Sequence, residues 1–305
     1  MPVQPVDLVW MNGKLVKWAD ATVHVLTHAL HYGTGVFEGI RCYETDKGPA
    51  VFRLRDHLMR MERSAKIFLM EIPYSVDELV QATHELILGN RLKTCYVRPI
   101  AFRGFGDMGV NPDNNPIDVT IAVWPWGTYL GEDALKKGVR MTVSSWRRHD
   151  PNVIPPQAKV TGGYINSSMA KLEAVRGGFD EAIMLNPDGF ISEATGENLF
   201  IVNGGEIVTP PTSSGPLPGI TRGTVMRIAA DLGIQVRERV LTRADLYTAD
   251  EMFCTGTAAE VTPVREIDDR VIGDPGPTTM TIQQKYFEIV KGQDEKYADW
   301  LDVVG

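Results

Sequence analysis

Apolar residues recur along this chain with two periods, and each change of period marks an element. Leu8-Val9-Trp10-Met11 and Lys14-Leu15-Val16-Lys17 flank Asn12-Gly13. That dipeptide tolerates the two positive φ angles of a type I′ turn, so the chain opens on a β-hairpin. Leu58, Met61, Ala65 and Phe68 then fall at helical spacing. Ser75-Val76-Asp77-Glu78 reads as a capping box opening a second helix that stops near Gly89-Asn90. Residues 95–102 and 119–123 are β-prone runs, giving strands with helices packed on one side, an α+β order.

The pattern breaks at Trp124-Pro125-Trp126-Gly127-Thr128-Tyr129-Leu130-Gly131, which reads as a linker. A bare tether would be polar, whereas these aromatics need an apolar surface, so the linker is expected to line a cleft between domains. A strand at 139–145 follows, then a Pro-interrupted loop. A helix is expected from Tyr164 to Arg176, closed by Gly177-Gly178. Beyond it lie a strand at 181–185, a turn at 186–189 and a hairpin through Asn203-Gly204-Gly205. A helix from Pro218-Gly219 to Leu232-Gly233, strands at 236–240 and 251–254, and a helix near 279–290 complete the chain. The expected division is residues 1–126, a connecting loop at 127–137, and residues 138–305.

Composition narrows the function more than the fold. The 305 residues are 43% hydrophobic and 23% charged with a formal charge of −8, which fits a globular chain and disfavours nucleic acid as the main partner. No apolar run reaches the length of a membrane span. The first residues lack the basic start and apolar core of a signal peptide, so the cytoplasm is the expected compartment. Cys42, Cys95 and Cys254 are far apart and form no Cys-x-x-Cys or Cys/His cluster. Buried thiols are expected, and no metal.

Several segments could carry chemistry. Lys159 stands among Pro, Ala, Val and Gly just before a helix. It is either a solvated loop charge or a lysine whose apolar neighbours lower its pKa for covalent catalysis. Ser192-Glu193-Ala194-Thr195-Gly196-Glu197-Asn198 is either an exposed turn or a place where Glu193 is a buried carboxylate that wants a cationic partner. Leu217-Pro218-Gly219-Ile220-Thr221-Arg222 reads as a helix start whose unpaired amides suit an anion. Thr255-Gly256-Thr257-Ala258-Ala259-Glu260 is a second amide cradle or merely a turn. Tyr96 and Arg98, two apart on a strand, share a face. Gly33-Thr34-Gly35 is a poor dinucleotide fingerprint, since no βαβ unit surrounds it.

Together these segments are specific. The chain resembles the class IV, or fold type IV, pyridoxal-phosphate aminotransferases, nearest the bacterial branched-chain group, over about residues 8–301. The resemblance rests on His31-Tyr32-Gly33-Thr34-Gly35-Val36-Phe37-Glu38-Gly39-Ile40-Arg41, Tyr96-Val97-Arg98-Pro99, Ala158-Lys159 before Gly162-Gly163-Tyr164, and the motifs at 192–200, 217–222 and 256–260. It implies an α+β fold of a smaller N-terminal α/β domain and a larger cofactor-binding C-terminal domain with a β-barrel-like core.

The resemblance also implies roles. Lys159 would hold pyridoxal 5′-phosphate covalently and move the catalytic proton. Glu193 would face the pyridine nitrogen, and Tyr164 the 3′-oxygen. Gly196, Leu217 and Gly256 would also line the cofactor. Its phosphate would rest on Arg60, on the amides of Ile220 and Thr221, and on Thr257. Periodicity alone would leave Arg60 solvated, off the Leu58/Met61 stripe. The substrate would meet Phe37, Gly39, Trp126, Tyr129 and Tyr164, with Tyr32, Met108 and Val110 from a neighbouring subunit. Arg98, with the hydroxyls of Tyr32 and Tyr129, would take the γ-carboxylate of glutamate. Tyr96, Thr257 and Ala258 would take the α-carboxylate, and Arg41 competes with Arg98 for a carboxylate.

The implied reaction exchanges an amino group between L-leucine, L-isoleucine or L-valine and 2-oxoglutarate. The implied assembly is a homodimer with shared active sites, with a hexamer left open. Within the fold, a D-amino acid aminotransferase, an (R)-selective amine transaminase and an aminodeoxychorismate lyase remain alternatives. A catalytically silent binding protein is a remoter one, opposed by the intact Lys159 and Glu193.

Overall fold

The computed structural model describes residues 3–127 and 131–305 and resolves into two compact units. The first comprises residues up to Trp126 together with Ala158–Gly162 and Ile289–Gly305; the second comprises the rest. Sequence order therefore misleads about contiguity. Residues 158–162, expected with the C-terminal domain, fold with the N-terminal one because Val160 bridges to Val36 and Thr161 Oγ1 donates to the Gly33 carbonyl at 2.8 Å.

In the first unit the hairpin β1 (Leu8–Met11) and β2 (Lys14–Lys17) turns at Asn12 and Gly13, with φ of 48° and 85°. Then come α1 (His28–Tyr32), β3 (Gly35–Phe37), β4 (Ile40–Thr45), β5 (Gly48–Phe52), α2 (Leu54–Ile67), α3 (Val76–Gly89), β6 (Cys95–Arg103) and β7 (Ile117–Trp124). The capping box forms as expected: Glu78 N–H donates to Ser75 Oγ at 3.2 Å and Ser75 N–H to Glu78 Oε2 at 2.7 Å. Leu54, Leu58, Met61 and Ala65 of α2 and Leu79, Leu86 and Ile87 of α3 pack into one core with Val97, Ala101, Val119, Ile121 and Val123 of the sheet. Trp124, expected in the linker, is the last residue of β7, paired with Tyr96.

The second unit begins with α4 (Glu132–Lys137), in a stretch expected as loop. Ala134 joins the unit's apolar core, and Lys136 and Lys137 stand at the end of the helix where its dipole favours cations. It continues with β8 (Val139–Val143), α5 (Tyr164–Arg176), β9 (Glu181–Leu185), β10 (Ile191–Ala194), β11 (Asn198–Asn203), β12 (Glu206–Thr209), α6 (Ile220–Asp231), β13 (Val236–Glu238), α7 (Arg243–Tyr247), β14 (Glu251–Gly256), β15 (Glu260–Ile267), β16 (Arg270–Val271) and α8 (Pro277–Val290). The strands form a mixed sheet in the order β10-β9-β8-β15-β14-β11-β12-β13. Strand β9 is buried on both faces: Ala182 and Met184 meet Ala170 and Ala174 of α5, while Ile183 and Leu185 enter the main core. A last strand, β17 (Leu301–Val303), pairs with β5 and extends the first unit's sheet, ordered β17-β5-β4-β6-β7-β1-β2, with β3 on β6.

Candidate active site

Lys159 is held by its backbone from two sides. Its N–H donates to Ser64 Oγ on α2 at 3.1 Å, and its carbonyl accepts from Phe37 N–H at 3.0 Å. Nζ lies 5.0 Å from the centroid of the Phe37 ring. A main chain pinned at both polar groups fixes where the side chain starts while leaving its stem able to swing.

Arg60 lies on the same helix as Ser64. Arg60 is not solvated, as periodicity alone would have it, but only 6% exposed. Its Nε donates to Glu38 Oε1 at 2.7 Å and its Nη2 to Glu38 Oε2 at 2.8 Å. Glu38 also accepts from His57 Nδ1 at 2.8 Å. Burial alone would raise the Glu38 pKa, but the charge and hydrogen bonds of Arg60, helped by His57, hold it far below the usual carboxylate range.

Across β4, β6 and β7 the register aligns Arg41, Tyr96 and Trp124, so the three side chains share one face. The Arg98 guanidinium lies 4.9 Å from the Phe37 ring, 5.2 Å from Tyr96 and 5.9 Å from Trp124. Trp126 packs tilted against Tyr96, with ring centroids 4.9 Å apart. Arg98 Nε and the Trp124 indole N–H have no hydrogen-bond partner among the described residues, which leaves polar donors inside an aromatic wall. Gly39 makes this packing possible, since a Cβ there would lie 2.0 Å from the Tyr96 hydroxyl oxygen. Arg41 is buried, 5.0 Å over the Tyr43 ring. Tyr32 on α1 donates to the Met108 carbonyl at 3.0 Å, and Val110 follows in the same exposed loop. Tyr129 lies outside the described residues.

In the second unit Glu193 is buried on β10. Its Oε1 pairs with Arg148 Nη2 at 2.6 Å, and its Oε2 accepts from Leu217 N–H at 3.0 Å and Asn198 Nδ2 at 3.3 Å. Glu193 thus meets a cation within the chain as well, the partly buried Arg148. Asn198 also donates to the Leu217 carbonyl at 2.9 Å, tying β11 to the loop before α6. That helix starts at Gly219 with no side-chain cap, so the amides of Ile220 and Thr221 head its first turn. Gly256, Thr257 and Ala258, all half-buried, form the end of β14 and the turn after it. Gly256 packs by Gly196: a Cβ on it would sit 3.2 Å from the Gly196 carbonyl oxygen. Tyr164 is the first residue of α5.

The profile of amino-transferase class IV matches residues 35–267. The chain belongs to the class IV aminotransferases. Within this family the Escherichia coli K12 branched-chain-amino-acid aminotransferase is 50% identical over 100% of this chain and 99% of its own length. The solved branched-chain amino acid aminotransferase of Thermoproteus uzoniensis with norvaline superposes with a TM-score of 0.95 at 46% identity, covering 98% of this chain and 100% of the other. That of Thermobaculum terrenum in its PLP-form gives 0.92 at 37% identity, covering 99% of both chains. The α+β architecture expected from the sequence is therefore that of a class IV aminotransferase.

Some of the residues that orient this site escaped the sequence. Glu38 and Asn198 lie inside recognised motifs but pair with residues far along the chain. His57 carries a usable signal, three residues before Arg60 on one helix face. Arg148 carries none, being one of two adjacent arginines in a loop.

Proposed function

We propose that this class IV aminotransferase exchanges the amino group between branched-chain L-amino acids, namely leucine, isoleucine and valine, and 2-oxoglutarate, with pyridoxal 5′-phosphate as cofactor. The observation that carries the substrate reading is Arg98 set among Phe37, Tyr96 and Trp124. Aromatic walls hold a branched aliphatic chain by burial, and one guanidinium among them receives a γ-carboxylate.

The residues present fit the cofactor. Uncapped amides open α6, Glu193 is buried with three donors orienting it, and Gly219 leaves Asn198 the room that a Cβ 1.9 Å from its Oδ1 would take. We assign the phosphate to Arg60, to the amides of Ile220 and Thr221, and to Thr257. Leu217, Gly196 and Gly256 line the ring. When bound, the cofactor supplies an electron sink for the bond broken at the substrate α-carbon.

Lys159 Nζ would take the proton from that carbon and deliver it to C4′ of the cofactor. Phe37 covers Nζ on one side and limits its approach. Glu193 holds a proton at the ring nitrogen, and Arg148 and Leu217 keep its carboxylate aimed. Tyr164 donates to the 3′-oxygen. Tyr96, Thr257 and Ala258 orient the α-carboxylate, with Arg41 beside Tyr96 on the neighbouring strand. Trp126 completes the apolar walls, to which the resemblance also assigns Tyr129, and the missing Cβ of Gly39 leaves room for the Tyr96 hydroxyl.

We place Tyr32, Met108 and Val110 at the boundary of a homodimer, serving the partner's site. Support comes from their setting: Tyr32 is 44% and Val110 82% exposed, beside exposed Val25, Leu30 and Phe105. A reducing compartment, the cytoplasm, suits Cys42, Cys95 and Cys254, which are all free and buried. No helix among the described residues is long and apolar enough to cross a membrane. The test is glutamate formation from 2-oxoglutarate with each of L-leucine, L-isoleucine, L-valine and (R)-1-phenylethylamine. All three amino acids should donate; transfer from the amine alone would overturn the assignment.

A further inference from the structure

Glu38 is the one buried carboxylate among the described residues of the first unit, and no step above uses it. It sits between β3 and β4, its N–H donating to the Pro99 carbonyl at 2.9 Å, so its backbone belongs to the sheet. Its side chain leaves the sheet for α2. There His57, Arg60 and Ser64 recur at three- and four-residue spacing along one helical face. His57 Nδ1 and the Nε and Nη2 of Arg60 all donate to Glu38. Ser64 Oγ donates to the Arg60 carbonyl at 2.9 Å and accepts from Lys159 N–H at 3.1 Å. One buried face thus ties the guanidinium of Arg60 and the backbone of Lys159 to the same sheet edge.

The pairing is a fork on a fork. Nε and Nη2 engage the two carboxylate oxygens, which fixes the plane of the guanidinium and turns Nη1 away from Glu38. An arginine on a helix otherwise has four rotatable bonds, and a phosphate would have to order them on binding. The carboxylate is acceptor-only, so His57 must donate from Nδ1, and burial favours its neutral form. Glu38 therefore offsets the charge of Arg60 while fixing its direction. Phosphate recognition by a guanidinium uses the direction of its N–H groups as well as its charge.

We propose that Glu38, braced by His57, is a positioning residue that pre-sets Arg60 to receive the phosphate of the cofactor at a fixed offset from Lys159. The inference rests on the assignment of Arg60 to that phosphate. Its signature is selectivity: loss of Glu38 weakens binding of the phosphorylated cofactor and spares the cofactor lacking phosphate. A residue serving only the fold would weaken both alike.

The test measures dissociation constants of pyridoxal 5′-phosphate and of pyridoxal with apoenzyme prepared from the full chain, by equilibrium titration. Wild type is compared with Glu38→Gln, Glu38→Asp, His57→Asn and Arg60→Lys. Glu38→Asp keeps the carboxylate but is one methylene shorter and cannot reach both donors, so it carries the test if Glu38→Gln does not fold. Both Glu38 variants should bind pyridoxal 5′-phosphate about ten- to a hundredfold more weakly, the range of a lost charge-assisted hydrogen bond. Pyridoxal binding should change less than about threefold, and His57→Asn should show the same selectivity at smaller size. A phosphate-selective loss in Arg60→Lys with none in the Glu38 variants overturns the positioning role alone. An Arg60→Lys variant that keeps its preference for the phosphorylated cofactor overturns the assignment of Arg60, and the inference with it.

Discussion

The buried charges of the two units have opposite signs. Among the described residues the first buries Arg41, Arg60 and Arg103 with Glu38, and the second buries Glu181, Glu193, Glu251 and Glu260 with Arg222, beside Glu197, whose proton burial holds. Such surpluses are costly to desolvate and persist where partners or function hold them. The first unit's surplus is cationic and suits phosphate and carboxylates. The second's is acidic and suits a protonated ring nitrogen, with the uncapped amides at α6 as an anion-receiving device. In a chain of formal charge −8, three of the four buried arginines among the described residues, Arg41, Arg60 and Arg103, lie in the first unit.

The largest effect should come from removing the amine of the first unit that sits on a swinging stem. Lys159→Ala is expected to lower transamination on the order of 10⁴-fold, the upper range for a positioned acid/base, and to abolish the visible absorption of covalently held cofactor. Retained visible absorption would break the assignment of Lys159.

Next is the fixed cation among aromatics. Arg98→Ala should weaken L-glutamate as substrate about a hundredfold in kcat/KM and L-leucine by less than about threefold, as expected for losing a charged hydrogen bond that only one side chain makes. Equal losses would show that Arg98 supports the wall rather than discriminating.

The acidic unit is probed through Glu197. Burial, then the charge of Glu181, pushes its pKa up from 4.5 to about 8. The unfolded chain releases this proton near 4.5 while the folded chain keeps it to about 8. Its contribution to stability is thus full at low pH and is lost as pH rises across that window, with a slope near 1.4 kcal/mol per pH unit. Glu197→Gln should remove that fall, so thermal midpoints of variant and wild type should draw apart from pH 5 to pH 8, the variant gaining. Parallel curves would show that Glu197 is ionised in the fold.

Local pattern foretold much of this structure. The hairpin at Asn12-Gly13, the Ser75 capping box and the bounds of α5 and β9 each follow from neighbours a few residues apart. The misses are non-local. Arg60 looked solvated because its partner is 22 residues away on another element. Trp124 looked like linker because only strand register sets it against Tyr96. Lys159 was expected with its sequence neighbours, yet the hydrogen bonds of its backbone are to Phe37 and Ser64. Site identities came from motif resemblance, whereas the orienting contacts of Glu38, His57 and Arg148 needed coordinates.

The most direct test of the substrate assignment is a single turnover of the holoenzyme without a second substrate. L-leucine should convert the bound cofactor to its amino form with release of the branched 2-oxo acid, and 2-oxoglutarate should then restore the starting spectrum, while D-alanine leaves it unchanged. Conversion by D-alanine with none by L-leucine would contradict the account.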